Sequence, residues 1–185
     1  DKGVVNRYRD AAEQRYSEAQ SNVGFMYEGE KEYKTAVKWY KLAAEQGNAI
    51  SQHNTAVMYE HGRGVPKELK EATKWYTLAA DQGHAKAQFN LGLLYARAQD
   101  FKTALKWFTL AAEQGIVYAQ NNLGLMYAKG LGVPQDNVRA HMWLNIATSH
   151  GANSKNRDLV AQRMTPPQIE KAKYLAREWI EKHGD

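Results

Sequence analysis

Fifteen residues of this chain are spelled nearly twice: "YKTAVKWYKLAAEQG" at 33–47 returns as "FKTALKWFTLAAEQG" at 101–115. Weaker copies, "ATKWYTLAADQG" at 72–83 and "RAHMWLNIATSHG" at 139–151, fill the gaps. Self-similarity at this period constrains the fold more than any local motif, because each unit is a supersecondary element that completes its core only by stacking on a neighbour. The tryptophans Trp39, Trp75, Trp107 and Trp143 lie 36, 32 and 36 residues apart, and the tyrosines Tyr27, Tyr59, Tyr95 and Tyr127 lie 32, 36 and 32 apart. Tyrosine to tryptophan is therefore alternately 12 and 16 residues, so a four-residue insertion falls between these landmarks in every second unit.

The inserted stretches read "HGRGVPKEL" at 61–69 and "KGLGVPQDN" at 129–137. Their glycines suit positive-φ backbone and their prolines discourage helix, which predicts a loop between two helices. No strand precedes these glycines and no Lys-Ser/Thr follows, so a phosphate-binding loop is disfavoured. In the other two units "GEKEY" and "AQDF" make a tighter turn. Each unit is thus read as two helices. The first, such as "AKAQFNLGLLYAR", sets Leu91, Gly92 and Tyr95 on one face. The second sets Ala104, Trp107 or Phe108, Ala111 and Ala112 on one face and stops at Gly115. Small residues at Gly24, Gly92 and Gly124 and the paired alanines allow close helix approach.

The 185 residues carry 43% hydrophobic residues, enough for a core, and no apolar run of membrane-spanning length. With no cysteine there is no disulfide framework, cysteine-ligated metal or thiol nucleophile. A net charge of +5 raises nucleic acid as a partner, but Lys and Arg alternate with Glu and Asp almost everywhere, which reads as a mixed solvated surface and disfavours it. Six histidines form no H-E-x-x-H or other ligand spacing; His84 and His150, beside helix-terminal glycines, are read as capping or surface residues. The serines lie in no nucleophile motif. No enzyme, cofactor or metal is expected.

Alanine, glutamine, Leu-Gly and tyrosine in the first helix, a G-x-G-V loop, then alanine, tryptophan, Ala-Ala and a terminal glycine resemble the Sel-1-like repeat, a relative of the tetratricopeptide repeat. "AISQHNTAVMYEHGRGVPKELKEATKWYTLAADQG" carries most of that pattern, although Thr55-Ala56 stands in place of Leu-Gly and the first and third units lack G-x-G-V. The fold expected is an all-α, right-handed α-solenoid of helix-turn-helix repeats. Its parts are a partial repeat helix at 1–16, repeats at 17–48, 49–84, 85–116 and 117–151, and capping helices at 152–185, all in one solenoid domain. The resemblance implies a scaffold that holds a protein or peptide on its concave face. Family habit favours a bacterial, exported protein, and the alternative is an envelope accessory protein with a small or peptidoglycan-type ligand in the groove.

One ladder bears on that face. Asn22, Asn54, Asn90 and Asn122 recur at the same position of each first helix. By resemblance they hold a peptide backbone in the groove; read from the residues alone, each amide serves equally to bond a neighbouring helix. One step earlier come Ser21, His53, Phe89 and Asn121, with His53 and Phe89 as aromatic anchors if they face the groove. Three steps beyond come Phe25, Val57, Leu93 and Leu125, whose uniform apolarity favours packing. Farther along, Glu28, Glu60, Arg97 and Lys129 change from acidic to basic, a gradient expected to orient a bound chain.

At the start, "DAAEQRYSEAQ" aligns with "LAAEQGNAISQ", so the chain is expected to open on a second helix, as a fragment or a cap. At the end, Thr165, Pro166 and Gln168 form a helix-start signal, and Ile169, Ala172, Leu175, Ala176 and Trp179/Ile180 make one apolar stripe. That stripe is expected to dock on the last repeat, with membrane or partner docking as the alternative.

Overall fold

The computed structural model describes residues 16–183 and, before them, Arg7 and Ala12. Most of the expected helix at 1–16 lies outside the described residues. Ten helices and no strand occur among those described. The chain forms two compact units, Asp1–Ala87 and Gln88–Asp185. The first holds α1 (Ser17–Gly29), α2 (Tyr33–Glu45), α3 (Ala49–His61), α4 (Leu69–Asp81) and the start of α5 (Ala85–Arg97). The second holds the rest of α5, α6 (Phe101–Glu113), α7 (Val117–Lys129), α8 (Asn137–Ser149), α9 (Lys155–Ala161) and α10 (Pro166–His183). Within the first unit α1, α2, α3 and α4 pack in sequence; within the second α6 packs on α7, α7 on α8, and α8 receives both α9 and α10.

The helix ends explain why the repeats punctuate so regularly. Each second helix closes on a glycine at φ between 83° and 97°: Gly47, Gly83, Gly115 and Gly151. The backbone N–H after each glycine turns back to the first residue of the small pair, as Asn48 to Ala43 and His84 to Ala79, which satisfies a carbonyl the helix leaves open. Starts are capped by Asn48 to the Ser51 N–H (2.9 Å), Asp100 to Thr103 (3.1 Å) and Asp136 to Arg139 (2.9 Å). Gln168 Oε1 accepts from the Thr165 N–H at 2.9 Å, with Pro166 at the first helical position, as its residue pattern predicts.

The two insertions fold back onto the preceding repeat. A Cβ added at Gly64 (φ 71°) would lie 2.3 Å from the Tyr33 carbonyl oxygen, and one at Gly132 (φ 70°) 2.4 Å from that of Phe101. The tighter turns carry an unforeseen feature: Lys31 and Gln99, neither a glycine, both sit at φ 62°. The three-residue connections impose that left-handed step whatever residue occupies it.

Three helix pairs meet at a glycine against a large side chain. Gly24 leaves no room for a Cβ beside the Tyr40 ring, Gly92 none beside Phe108, and Gly124 none beside Leu144. The alanine pairs are buried, as are Trp75, Trp107 and Trp143. At the chain's end Ala176 is buried in one cluster with Trp143 and Ile146, and Trp179 meets Trp143 edge-on at 5.5 Å.

Candidate interaction face

Each first helix has a buried and an open side. Ala19, Gln20, Val23 and Gly24 face the core on α1, and the equivalent set on α7 is Ala119, Gln120, Leu123 and Gly124. The remaining stripe holds Glu18, Ser21, Asn22 and Phe25 on α1, with Ile50, His53, Asn54 and Val57 on α3. On α5 it is Lys86, Phe89, Asn90 and Leu93, and on α7 Tyr118, Asn121, Asn122 and Leu125. The first and third members are exposed or half-buried throughout, and large apolar groups stand among them: Phe25 is 70% exposed, Ile50 57% and Tyr118 75%.

The asparagines do not share one environment. Asn22 is exposed and Asn90 and Asn122 are half-buried. Asn54 is committed inside the first unit: its oxygen lies 3.1 Å from His53 Nδ1. Asn121 accepts from the Asn156 amide of α9 at 3.1 Å. Phe89 packs against Phe108 at 5.9 Å and is stacked with Tyr118 at 6.2 Å.

His53 stacks on His84 at 4.8 Å and tilts against Tyr76 at 5.7 Å. His84 Nδ1 accepts from the Ala87 N–H at 3.2 Å, so its imidazole caps the start of α5, and only its backbone N–H bonds a carbonyl at the end of α4. Burial, aided by the His84 and Lys86 charges against the opposing Asn54 bond and Glu60, pushes His53 down to about 4. Burial likewise lowers His84 and His141, the latter helped by Arg157 and Lys173. Folded values below the ordinary 6.5 mean that the unfolded chain binds more protons between about pH 6.5 and 4. The thermal midpoint should therefore be flat above neutrality and fall as pH drops through that window, and His53→Gln should flatten the fall; an unchanged slope would remove His53 from the account.

The acidic-to-basic gradient is corrected by the structure. The carboxylate of Glu28 accepts from the Tyr40 hydroxyl (2.7 Å), and that of Glu60, only 9% exposed, from Tyr76 (2.8 Å). Both acids point toward the second helix of their own repeat. In register with them stand Ala96 and Ala128, while Phe108 and Leu144 replace the tyrosines. Arg97 and Lys129 lie one residue farther on, about 100° around the helix, exposed in the last turn, where a cation complements the C-terminal carbonyls. Lys129 also borders a 340 Å³ hollow with Leu125, Leu159 and Arg163.

The glutamine of the first-helix pattern forms a second ladder, with a role its spacing alone does not give. Gln20, Gln52, Gln88 and Gln120 are all buried. Gln20 donates to the Ala12 carbonyl (3.0 Å), Gln52 to Ala44 (3.2 Å) and Gln120 to Ala112 (3.2 Å). Their own oxygens receive Gln46 (2.6 Å) on Gln20, Gln82 (2.7 Å) on Gln52 and Gln114 (2.7 Å) on Gln88, and His150 Nδ1 lies 3.1 Å from that of Gln120. Each of Gln20, Gln52 and Gln120 ties the preceding repeat to its own. No group of three or more metal-ligating side chains occurs among the described residues.

This stacked arrangement is that of a known class. The Sel1 repeat model matches residues 17–48, 49–84, 85–116 and 117–151, and the chain belongs to the Sel1 repeat family, whose all-α solenoids serve as protein-interaction scaffolds. It is similar to a Sel1 repeat protein of Oxalobacter formigenes, 33% identical over 93% of this chain and 75% of that one, with a TM-score of 0.76. It is also similar to c5321, a protective antigen of uropathogenic Escherichia coli with the same repeat fold. That match is 33% identical over 95% of this chain but 48% of the other, with a TM-score of 0.59. No curated protein matches. No described helix is long and apolar enough to cross a membrane.

Proposed function

We propose that the chain is a non-catalytic interaction module that takes a protein or peptide on the open stripe of its first helices, which in a single solenoid would form the concave face. The observation that carries this reading is the exposure of Phe25, Ile50 and Tyr118 on that stripe among polar neighbours, since large apolar and aromatic groups supply most of the energy at protein interfaces. Asn22, Asn90 and Asn122 would add amide donors and acceptors.

Photo-crosslinking tests the face directly. Benzoylphenylalanine in place of Asn90 or Tyr118 should capture a discrete partner in cells of the source organism. The same group in place of Lys38 or Lys74, exposed on second helices, should not. Equal adducts from Lys74 would move binding to the opposite face.

A further inference from the structure

We propose that the second unit holds a binding site for a neutral saccharide at the foot of α7. A cavity of about 510 Å³ opens there, bounded by α7, by the turn after α8 and by the start of α9. Its wall is Tyr118, and its polar lining is Asn121, His150, Asn153 and Asn156, with no lysine, arginine, aspartate or glutamate.

Three features of this lining define the ligand. First, Tyr118 is 75% exposed with its ring 6.2 Å from that of Phe89, so a flat aromatic face is presented to the cavity mouth. Apolar C–H faces of a sugar ring pack on such a plate. Second, the amides are half-used. Asn156 donates to Asn121 Oδ1, and Asn153 Oδ1 accepts from the Lys155 N–H at 2.7 Å. The Asn121 and Asn153 amide N–H2 groups and the Asn156 oxygen carry none of these bonds, so residues lining the cavity keep neutral donors and an acceptor that match hydroxyl or acetamido groups. Third, the turn at 150–153 and α9 close one side of the cavity, so it takes the end of a ligand or a short one. A peptide terminus brought there would carry a charge that meets no lysine, arginine, aspartate or glutamate in the lining. A sugar unit ends without one.

This site goes beyond the interaction reading and does not depend on it, because the cavity lies within one unit and its ligand is small. The test is a titration of the whole chain, followed by amide NMR shifts and calorimetry, with N,N′-diacetylchitobiose and cellobiose as probes and trialanine as the peptide control. One of the saccharides should bind with a Kd on the order of 1 mM or tighter. Tyr118→Ala should weaken it about tenfold while Tyr118→Phe retains it. Asn121→Ala should also weaken it, and each variant's circular dichroism should match the parent. No saccharide shift at about 10 mM, equal binding by Tyr118→Ala, or binding of trialanine alone would each overturn the proposal. Failure here leaves the crosslinking result at Asn90 untouched.

Discussion

Gly64→Ala should cost about 3 kcal/mol or more, lowering the thermal midpoint by about 6 °C or more at the usual 2–4 °C per kcal/mol for a chain this size. Two penalties coincide there. The backbone sits at φ 71°, where an L side chain costs about 1–2 kcal/mol. The added carbon would also fall 2.3 Å from the Tyr33 carbonyl oxygen and 2.7 Å from the Lys34 nitrogen, and backbone cannot move aside as a side-chain tip can. Gly47→Ala is the control: φ is 90°, but nothing lies within 4 Å of the new carbon, so only the conformational cost of about 1–2 kcal/mol applies. Equal losses in the two variants, measured by urea or thermal unfolding, would show that the loop shifts freely and is not pinned on the start of α2.

The second large effect is expected at Gln52. Truncation by Gln52→Ala removes the bond to the Ala44 carbonyl and the one received from Gln82, each worth about 1 kcal/mol, and leaves a void at a buried site. A total of about 2–4 kcal/mol follows. Gln52→Glu should be at least as severe, because a carboxylate has no N–H to offer the Ala44 oxygen and its charge is buried. Asn54→Ala, two residues along on the open stripe, should cost about 1 kcal/mol for its bond to His53. If Asn54→Ala proves the more damaging, the glutamines do not join the repeats.

That contrast also shows what could be read from the chain. Repeat spacing, helix-stopping glycines and the Thr165–Gln168 start were legible, because each is a local chemical requirement repeated in register. The glutamine ladder was not, although its spacing equals that of the asparagines. Period alone cannot tell two polar rows apart; their faces can. Gln20 falls with Val23, Gly24 and Tyr27 at helical spacing, on the side that packs, whereas Asn22 falls with Glu18 and Phe25 on the side that does not. The charge gradient fails on register as well, since Arg97 and Lys129 stand one step beyond the position of Glu28 and Glu60. The environment of Asn121 was beyond reach because its partner, Asn156, comes from an element 35 residues away (156−121).

The tyrosine–glutamate contacts of the first two repeats, replaced by Phe108 with Ala96 and Leu144 with Ala128, make near-identical segments poor substitutes for one another. A helix carrying Phe108 laid against Glu60 would bury a carboxylate without its phenol, and one carrying Tyr76 laid against Ala96 would leave a hydroxyl without its carboxylate. A chain that writes "KWY" and "KWF" in otherwise matching sentences thus proofreads its own assembly. Helices of similar spelling are sorted by the cost of a wrong neighbour, which guards an array of this kind against exchanging parts between repeats or between molecules.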